Sequence, residues 1–315
     1  MADAPDLGAL LQAARDGARG ALARLLTVVE RGGDDARALA RLAHPEGGQA
    51  YTVGLTGAPG AGKSTLTSAL VRVIRRAGPR AAVLAIDPSS PFTGGAILGD
   101  RVRMEGHTGD PDVYIRSMAT RGHLGGLSLA TPDAIRVLDA AGWPLVLVET
   151  VGVGQVEVEV AGAADTTVVV LNPGWGDAVQ ANKAGLLEIA DVFVINKADR
   201  PGAHETRRDI ERMLDMTNRP GWRPPIVPTV ASTGEGVDDL WAAIGDHRAA
   251  LEASGELDER RRRRVATELE EIAAVLLRER ARARVAARVQ AAAERVADRS
   301  VDPWTAAEAL LDGEG

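Results

Sequence analysis

The chain has 315 residues, of which 45% are hydrophobic and 26% charged, enough apolar content for a sizeable core and too much for global disorder. A net charge of -7 and a pI near 5.4 argue against a nucleic-acid partner, because phosphate contacts call for a basic surplus. The absence of cysteine excludes disulfides and thiolate metal sites.

In chain order, residues 7–43 read as helical. Leu7, Leu10, Leu11 and Ala14 form one stripe, and Ala21, Leu22, Leu25, Leu26 and Val29 a second, broken by Gly17 and Gly20. A helical extension over 1–48 is expected. From 49 to 250, short apolar runs alternate with helical segments. The runs lie at 51–56, 81–86, 113–115, 145–148, 166–171, 192–195 and 226–230. They are rich in Val, Ile and Leu without strict alternation, as strands buried on both faces of a parallel sheet are. The fold class predicted is α/β, with a mostly parallel, doubly wound sheet. From 251 to 315 the composition turns to Ala, Arg and Glu, and Leu269, Ile272, Leu276, Val285 and Val289 recur at near-helical spacing. That arm predicts helix-to-helix association in a homodimer. The arginine run 260–264 is flanked by acids and reads as a solvated, ion-paired helix face. No apolar stretch approaches the roughly 20 residues that span a bilayer. The acidic N-terminus lacks a basic-then-apolar leader pattern, so a cytoplasmic protein with no membrane partner is expected.

Gly57, Ala58, Pro59, Gly60, Ala61, Gly62, Lys63 and Ser64 fit G-x-x-x-x-G-K-[ST] and are followed by Thr65. A predicted strand precedes them and a helical run, 66–74, follows. Glycines let successive N–H groups converge on a phosphate, and the next helix adds its positive N-terminus. Lys63 would reach the β- and γ-phosphates, and the Ser64 hydroxyl would ligate Mg²⁺. The motif implies a P-loop NTPase but does not choose the base.

Asn196, Lys197, Ala198 and Asp199 follow the run 192–195 and have the N-K-x-D form. At the carboxyl end of a strand, an Asp199 carboxylate can accept from both N1–H and the N2 amine of guanine, and adenine offers neither. The Lys197 stem can cover the base, while Asn196 ties this loop to the phosphate cradle. A second strand, 226–230, ends in Ala231, Ser232, Thr233 and Gly234, placed to offer a backbone N–H to guanine O6. GTP is therefore expected over ATP.

Mg²⁺ takes oxygen ligands. Asp87 and Glu149 follow apolar runs that should flank the P-loop strand, and Asp100 lies in a glycine-rich segment. Gly152, in an E-x-x-G pattern starting at Glu149, would bring its N–H near the γ-phosphate. No glutamine follows that glycine directly, so either Gln155 or Asp87 is left as the group orienting water, and slow intrinsic hydrolysis is expected.

The blocks 87–104, 115–126 and 149–155 resemble the MeaB/ArgK GTPases, the methylmalonyl-CoA mutase-associated proteins, which are relatives of the hydrogenase and urease maturation GTPases. The likeness runs from about Val53 to Ser232, and both helical extensions fit it. It implies a dimeric GTPase that gates adenosylcobalamin transfer into an acyl-CoA mutase, with an adenosyltransferase as a second partner. Asp87, Asp100 and Glu149 match its Mg²⁺ and switch carboxylates. Gln180 and Lys183 match a loop tied to mutase-stimulated hydrolysis. Trp175 and Val156 depart from its pattern. No cobalamin-binding D-x-H-x-x-G pattern is present, so no direct cobalamin site is expected. Two other readings stand beside it: a metal-delivery maturation GTPase, for which the five scattered histidines are poor ligands, and a P-loop kinase linked to amino-acid transport.

Overall fold

The computed structural model describes residues 6–88, 106–107, 109–120, 130–150, 162–174, 188–216 and 221–312, with only the backbone described at 87, 88, 119 and 120. The chain divides into two compact units, Met1–Arg261 and Arg262–Gly315.

Among the described residues the first unit has seven strands: β1 (Tyr51–Thr56), β2 (Ala81–Pro88), β3 (Val113–Thr120), β4 (Leu145–Thr150), β5 (Thr166–Leu171), β6 (Val192–Asn196) and β7 (Ile226–Thr229). Their order is β3-β2-β4-β1-β5-β6-β7, and every neighbouring pair is parallel. All seven expected runs are strands. Several extend past their apolar stretch, because the ladder continues through polar residues such as Asp87 and Asn196. One expectation is corrected. β4 sits beside β1, but β2 does not; β4 lies between them, so the two acids come from successive strands on one side of the P-loop strand.

Burial on both faces explains the runs. Val53, Leu55, Leu147, Val168 and Val194 point into a cluster with α4 (Lys63–Ala77) and α7 (Val237–Ser254). Leu84, Ile86, Val146 and Val148 point the other way. There they meet α1 (Leu7–Arg15), α2 (Arg19–Arg31), α3 (Gly33–Ala43) and α5 (Ala130–Ala140). Farther along that face, α6 (Ala203–Met216) covers Val169, Leu171, Phe193 and Ile195. Leu25, Leu26 and Leu39 are fully buried, so α1–α3 form a second layer of the core. Burying a Leu side chain contributes roughly 1.5–3 kcal/mol. Arg19 pins this layer to the β3 edge, donating to the carbonyls of Asp110 and Val113 at 2.9 and 2.7 Å.

At the opposite edge, Phe193 and Ala198 N–H groups donate to the Pro225 and Thr229 carbonyls. Alternation along β7 therefore turns the Pro228 backbone away from β6. α8 (Glu256–Val285) begins in the first unit. In the second unit, α9 (Val289–Ala297) and α10 (Pro303–Asp312) are joined by Arg288, which donates to the Leu310 carbonyl at 2.8 Å. Val265, Leu269, Leu277 and Val289 are exposed.

Candidate nucleotide site

The loop from Gly57 to Gly62 leaves the carboxyl end of β1 and enters α4 at Lys63. Gly57, Gly60 and Gly62 have φ of 133°, 74° and 90°, a region that side chains rarely adopt. Two of these glycines are also enforced by space. A Cβ on Gly57 would lie 2.0 Å from the Val170 carbonyl oxygen, and one on Gly62 would lie 2.5 Å from Asn196 Nδ2. The loop is thus pressed against β5 on one side and the base loop on the other.

Lys63 is buried, and its Nζ donates to the Gly57 and Ala58 carbonyls at 2.6 and 3.2 Å, which sets its ammonium at the mouth of the loop. Ser64 is also buried, and its hydroxyl donates to Glu149 Oε1 at 2.6 Å. β4 therefore delivers a carboxylate to the first turn of α4, as the β1–β4 register of Leu55 against Glu149 requires. Thr65 is exposed, as are Pro59 and Gly60, while Ala58 is half-buried and Ala61 buried.

The two expected base loops meet through one side chain. Asn196, 2% exposed, donates from Nδ2 to the Ala61 carbonyl at 2.8 Å. Its Oδ1 accepts from the Thr229 hydroxyl at 3.2 Å and from the Ala231 N–H at 3.1 Å. Lys197 has φ of 59°, and its Nζ donates to the Gly60 carbonyl at 2.6 Å, so its stem bridges the two loops. A non-glycine residue held in this conformation is strained, which surrounding contacts must sustain. Asp199 is exposed, and no side-chain hydrogen bond to it occurs among the described residues. In the turn after β7, the N–H groups of Ala231, Thr233 and Gly234 are taken by internal acceptors. Ser232 N–H has no such acceptor among the described residues, so Ser232 is the member of this turn with a main-chain donor to offer.

Lys63, Ser64, Glu149, Asn196, Lys197 and Ala231 thus converge at the carboxyl ends of β1, β4, β6 and β7. Asp87 is the next-to-last residue of β2, and its side chain lies outside the described atoms. Asp100, Gly152, Gln155, Gln180 and Lys183 lie outside the described residues. The sequence did not single out Thr229 or the Val170 carbonyl, since neither belongs to a spacing pattern; only the three-dimensional register brings them in.

The match to known proteins agrees with this geometry. The family description "Methylmalonyl Co-A mutase-associated GTPase MeaB" fits residues 22–287. The chain belongs to the MeaB family. A Pyrococcus abyssi member named as a GTPase is 50% identical over 307 residues, covering 96% of this chain and 95% of that one. GTPase ArgK of Escherichia coli is 40% identical over 256 residues, covering 78% and 77%. The mouse protein named methylmalonic aciduria type A homolog, mitochondrial, is 39% identical over 216 residues, covering 67% of this chain and 52% of its own length. Among solved structures, a LAO/AO transport system kinase superposes with a TM-score of 0.72 at 28% identity, covering 97% and 96%. The fold of this MeaB-family GTPase is accordingly that of the P-loop NTPases, with helical extensions on both sides.

Proposed function

We propose that this MeaB-family GTPase hydrolyses GTP to GDP and phosphate, and that it gates adenosylcobalamin loading into, and protects, a cobalamin-dependent acyl-CoA mutase. The observation that carries the nucleotide half is the Asn196 bridge, which fixes the N-K-x-D loop, the phosphate loop and the turn after β7 as one body beside an exposed Asp199. The mutase half is supported by the family description and by the mouse relative's name.

In this reading the main-chain N–H groups of residues 57–65 cradle the phosphates and Lys63 balances their charge. Asp199 accepts from guanine, the Lys197 stem covers the ring, and the Ser232 main-chain N–H meets O6, with Ala231 and Thr233 shaping the turn that presents it. Mg²⁺ suits the donor set, since a hard cation takes oxygen ligands and the Ser64 hydroxyl and Glu149 carboxylate stand 2.6 Å apart. Ser64 and Glu149 would hold it, with Asp87 and Asp100 as further ligands, and when bound it would neutralise charge on the phosphate oxygens. Asp87, Gln180 and Lys183 take part in hydrolysis, which is slow in the free chain and faster on the mutase. Gly152 senses the γ-phosphate. The exposed apolar residues of α8 and α9 pair two copies into a homodimer, in the cytoplasm, with an adenosyltransferase as a further partner.

The kinase reading retains support from the name of its structural relative, a transport system kinase. One experiment separates the readings: calorimetry with GTP and ATP, then phosphate release with and without methylmalonyl-CoA mutase. We expect GTP preference, its loss in Asp199→Ala, and faster release of free phosphate with the mutase. Equal binding of ATP, or label appearing on protein rather than in solution, would overturn the proposal.

A further inference from the structure

At the ends of β1, β5 and β6 opposite the nucleotide site, two carboxylates are buried, one just before β5 and one just before β6. Asp165, 1% exposed, accepts from the Thr52 N–H at 2.9 Å, while its own N–H donates to the Thr52 hydroxyl at 2.8 Å. Asp191, 7% exposed, accepts from the Thr167 N–H at 2.8 Å. Both are met by consecutive arginines from the first turns of α8. Arg260 Nη1 reaches Asp191 Oδ1 and Oδ2 at 2.9 and 3.0 Å. Arg261 donates to Asp165 from Nε at 3.2 Å and Nη2 at 2.9 Å, and to the Ala50 carbonyl at 2.9 Å. These two arginines are half-buried anchors rather than part of a solvated face, which corrects the sequence reading of the 260–264 run; Glu256 is still a partner of Arg260, at 3.0 Å.

A third contact comes from α7. His247 is fully buried, with Nε2 at 3.3 Å from Asp191 Oδ1 and Nδ1 at 2.8 Å from the Thr166 hydroxyl, which lies 2.6 Å from the Tyr51 hydroxyl. His247 Nε2 thus faces the Asp191 carboxylate at ion-pair range, beside the Arg260 guanidinium. On its other side, Nδ1 shares a hydrogen bond with the Thr166 hydroxyl, which shares another with the Tyr51 hydroxyl. The series of contacts ends at the carboxylate that Arg260 holds. Burial opposes ionisation of Asp191, but His247 and the Arg260 guanidinium beside it keep its carboxyl below the usual range.

We infer that Arg260 and Arg261 form an ionic latch through which the root of the C-terminal arm and the nucleotide pocket influence each other. The three strands that the latch grips are those whose far ends carry the phosphate loop, the Val170 carbonyl that presses on Gly57, and Asn196. α7 closes the circuit, since it begins just after the Ala231–Gly234 turn and returns to Asp191 through His247. A strand of five or six residues spans about 20 Å, and all three are buried in a close-packed sheet of the kind that transmits strain. Arg261 is also the last residue of the first unit, so the latch sits where the arm leaves it. Coupling of this kind is reciprocal: nucleotide must tighten the latch by the factor by which the latch tightens nucleotide binding.

The inference rests on the nucleotide reading above, and its test separates the two. Hydrogen exchange of the full-length chain is followed in peptides covering 256–261, alone and with GDP or a non-hydrolysable GTP analogue. Nucleotide affinity is measured for wild type, Arg260→Met, Arg261→Met and Arg260→Lys. Nucleotide should slow exchange at 256–261 in the wild type by about 5-fold or more, at the lower end of typical allosteric coupling. The methionine variants should bind GTP weaker by a similar factor, with Arg260→Lys retaining more affinity than Arg260→Met. A purely structural latch would lower the melting temperature without making exchange depend on nucleotide. Exchange at 256–261 indifferent to bound nucleotide in the wild type overturns the inference, even if no variant folds. A wild type that binds no GTP overturns the nucleotide reading itself, and the inference with it.

Discussion

Replacing Asn196 by alanine tests the heart of the site. The substitution removes three hydrogen bonds, to the Ala61 carbonyl, the Thr229 hydroxyl and the Ala231 N–H, in a position 2% exposed. At about 1 kcal/mol net per bond, the loss is about 3 kcal/mol, and it rises if the abandoned groups stay dry. For a unit of this size that lowers the melting temperature by roughly 6–12 °C. Expressed wholly in binding, the same free energy is about 150-fold in affinity. Because part of it acts on folding alone, the expected weakening of GTP is about 10–100-fold by calorimetry, with ATP little changed. Asn196→Asp keeps the size but sets a carboxylate oxygen against the Ala61 carbonyl, so it should not rescue binding. A variant that melts within about 1 °C of the parent and binds GTP within about twofold would refute the reasoning.

Gly57→Ala should be more severe at the phosphate loop than elsewhere, since its Cβ would lie 2.0 Å from backbone and its φ is 133°. We expect loss of nucleotide binding by about 100-fold with secondary structure retained by circular dichroism, and normal affinity would contradict the packing described. Asp110 carries a pH prediction. The Arg75 guanidinium, at 2.9 Å, and the Asp112 N–H hold its carboxyl below the usual range. A depressed carboxylate contributes stability that is complete above its unfolded value of 3.8 and is lost as pH falls through its lower folded value. Denaturant midpoints for wild type and Asp110→Asn should therefore differ near neutrality and converge below that value. A gap that widens with acid would show the sign to be wrong.

The strands and the phosphate loop were legible because both are short-range signals. Seven apolar runs buried on two faces leave no other reading, and the glycines of 57–62 are set by local backbone. Sheet order was not legible in the same way. Placing β2 next to β1 assumed that consecutive strands pair, whereas β4 takes that position. The latch was missed for a physical reason as well. A run of arginines among acids looks solvated when its partners are counted along the chain, but Arg260 and Arg261 find theirs 69 and 96 residues away. The faint signal was an Ala-Asp pair ahead of both the 166–171 and 192–195 runs, a carboxylate where each strand begins.

Pro228 has a consequence for how this protein meets others. On the outer side of β7 it supplies a carbonyl but no N–H, so a strand arriving from another molecule would find the hydrogen-bonding ladder short of a rung. With Arg19 occupying main-chain acceptors next to the other rim, the sheet resists lengthening by fibril-like addition in either direction.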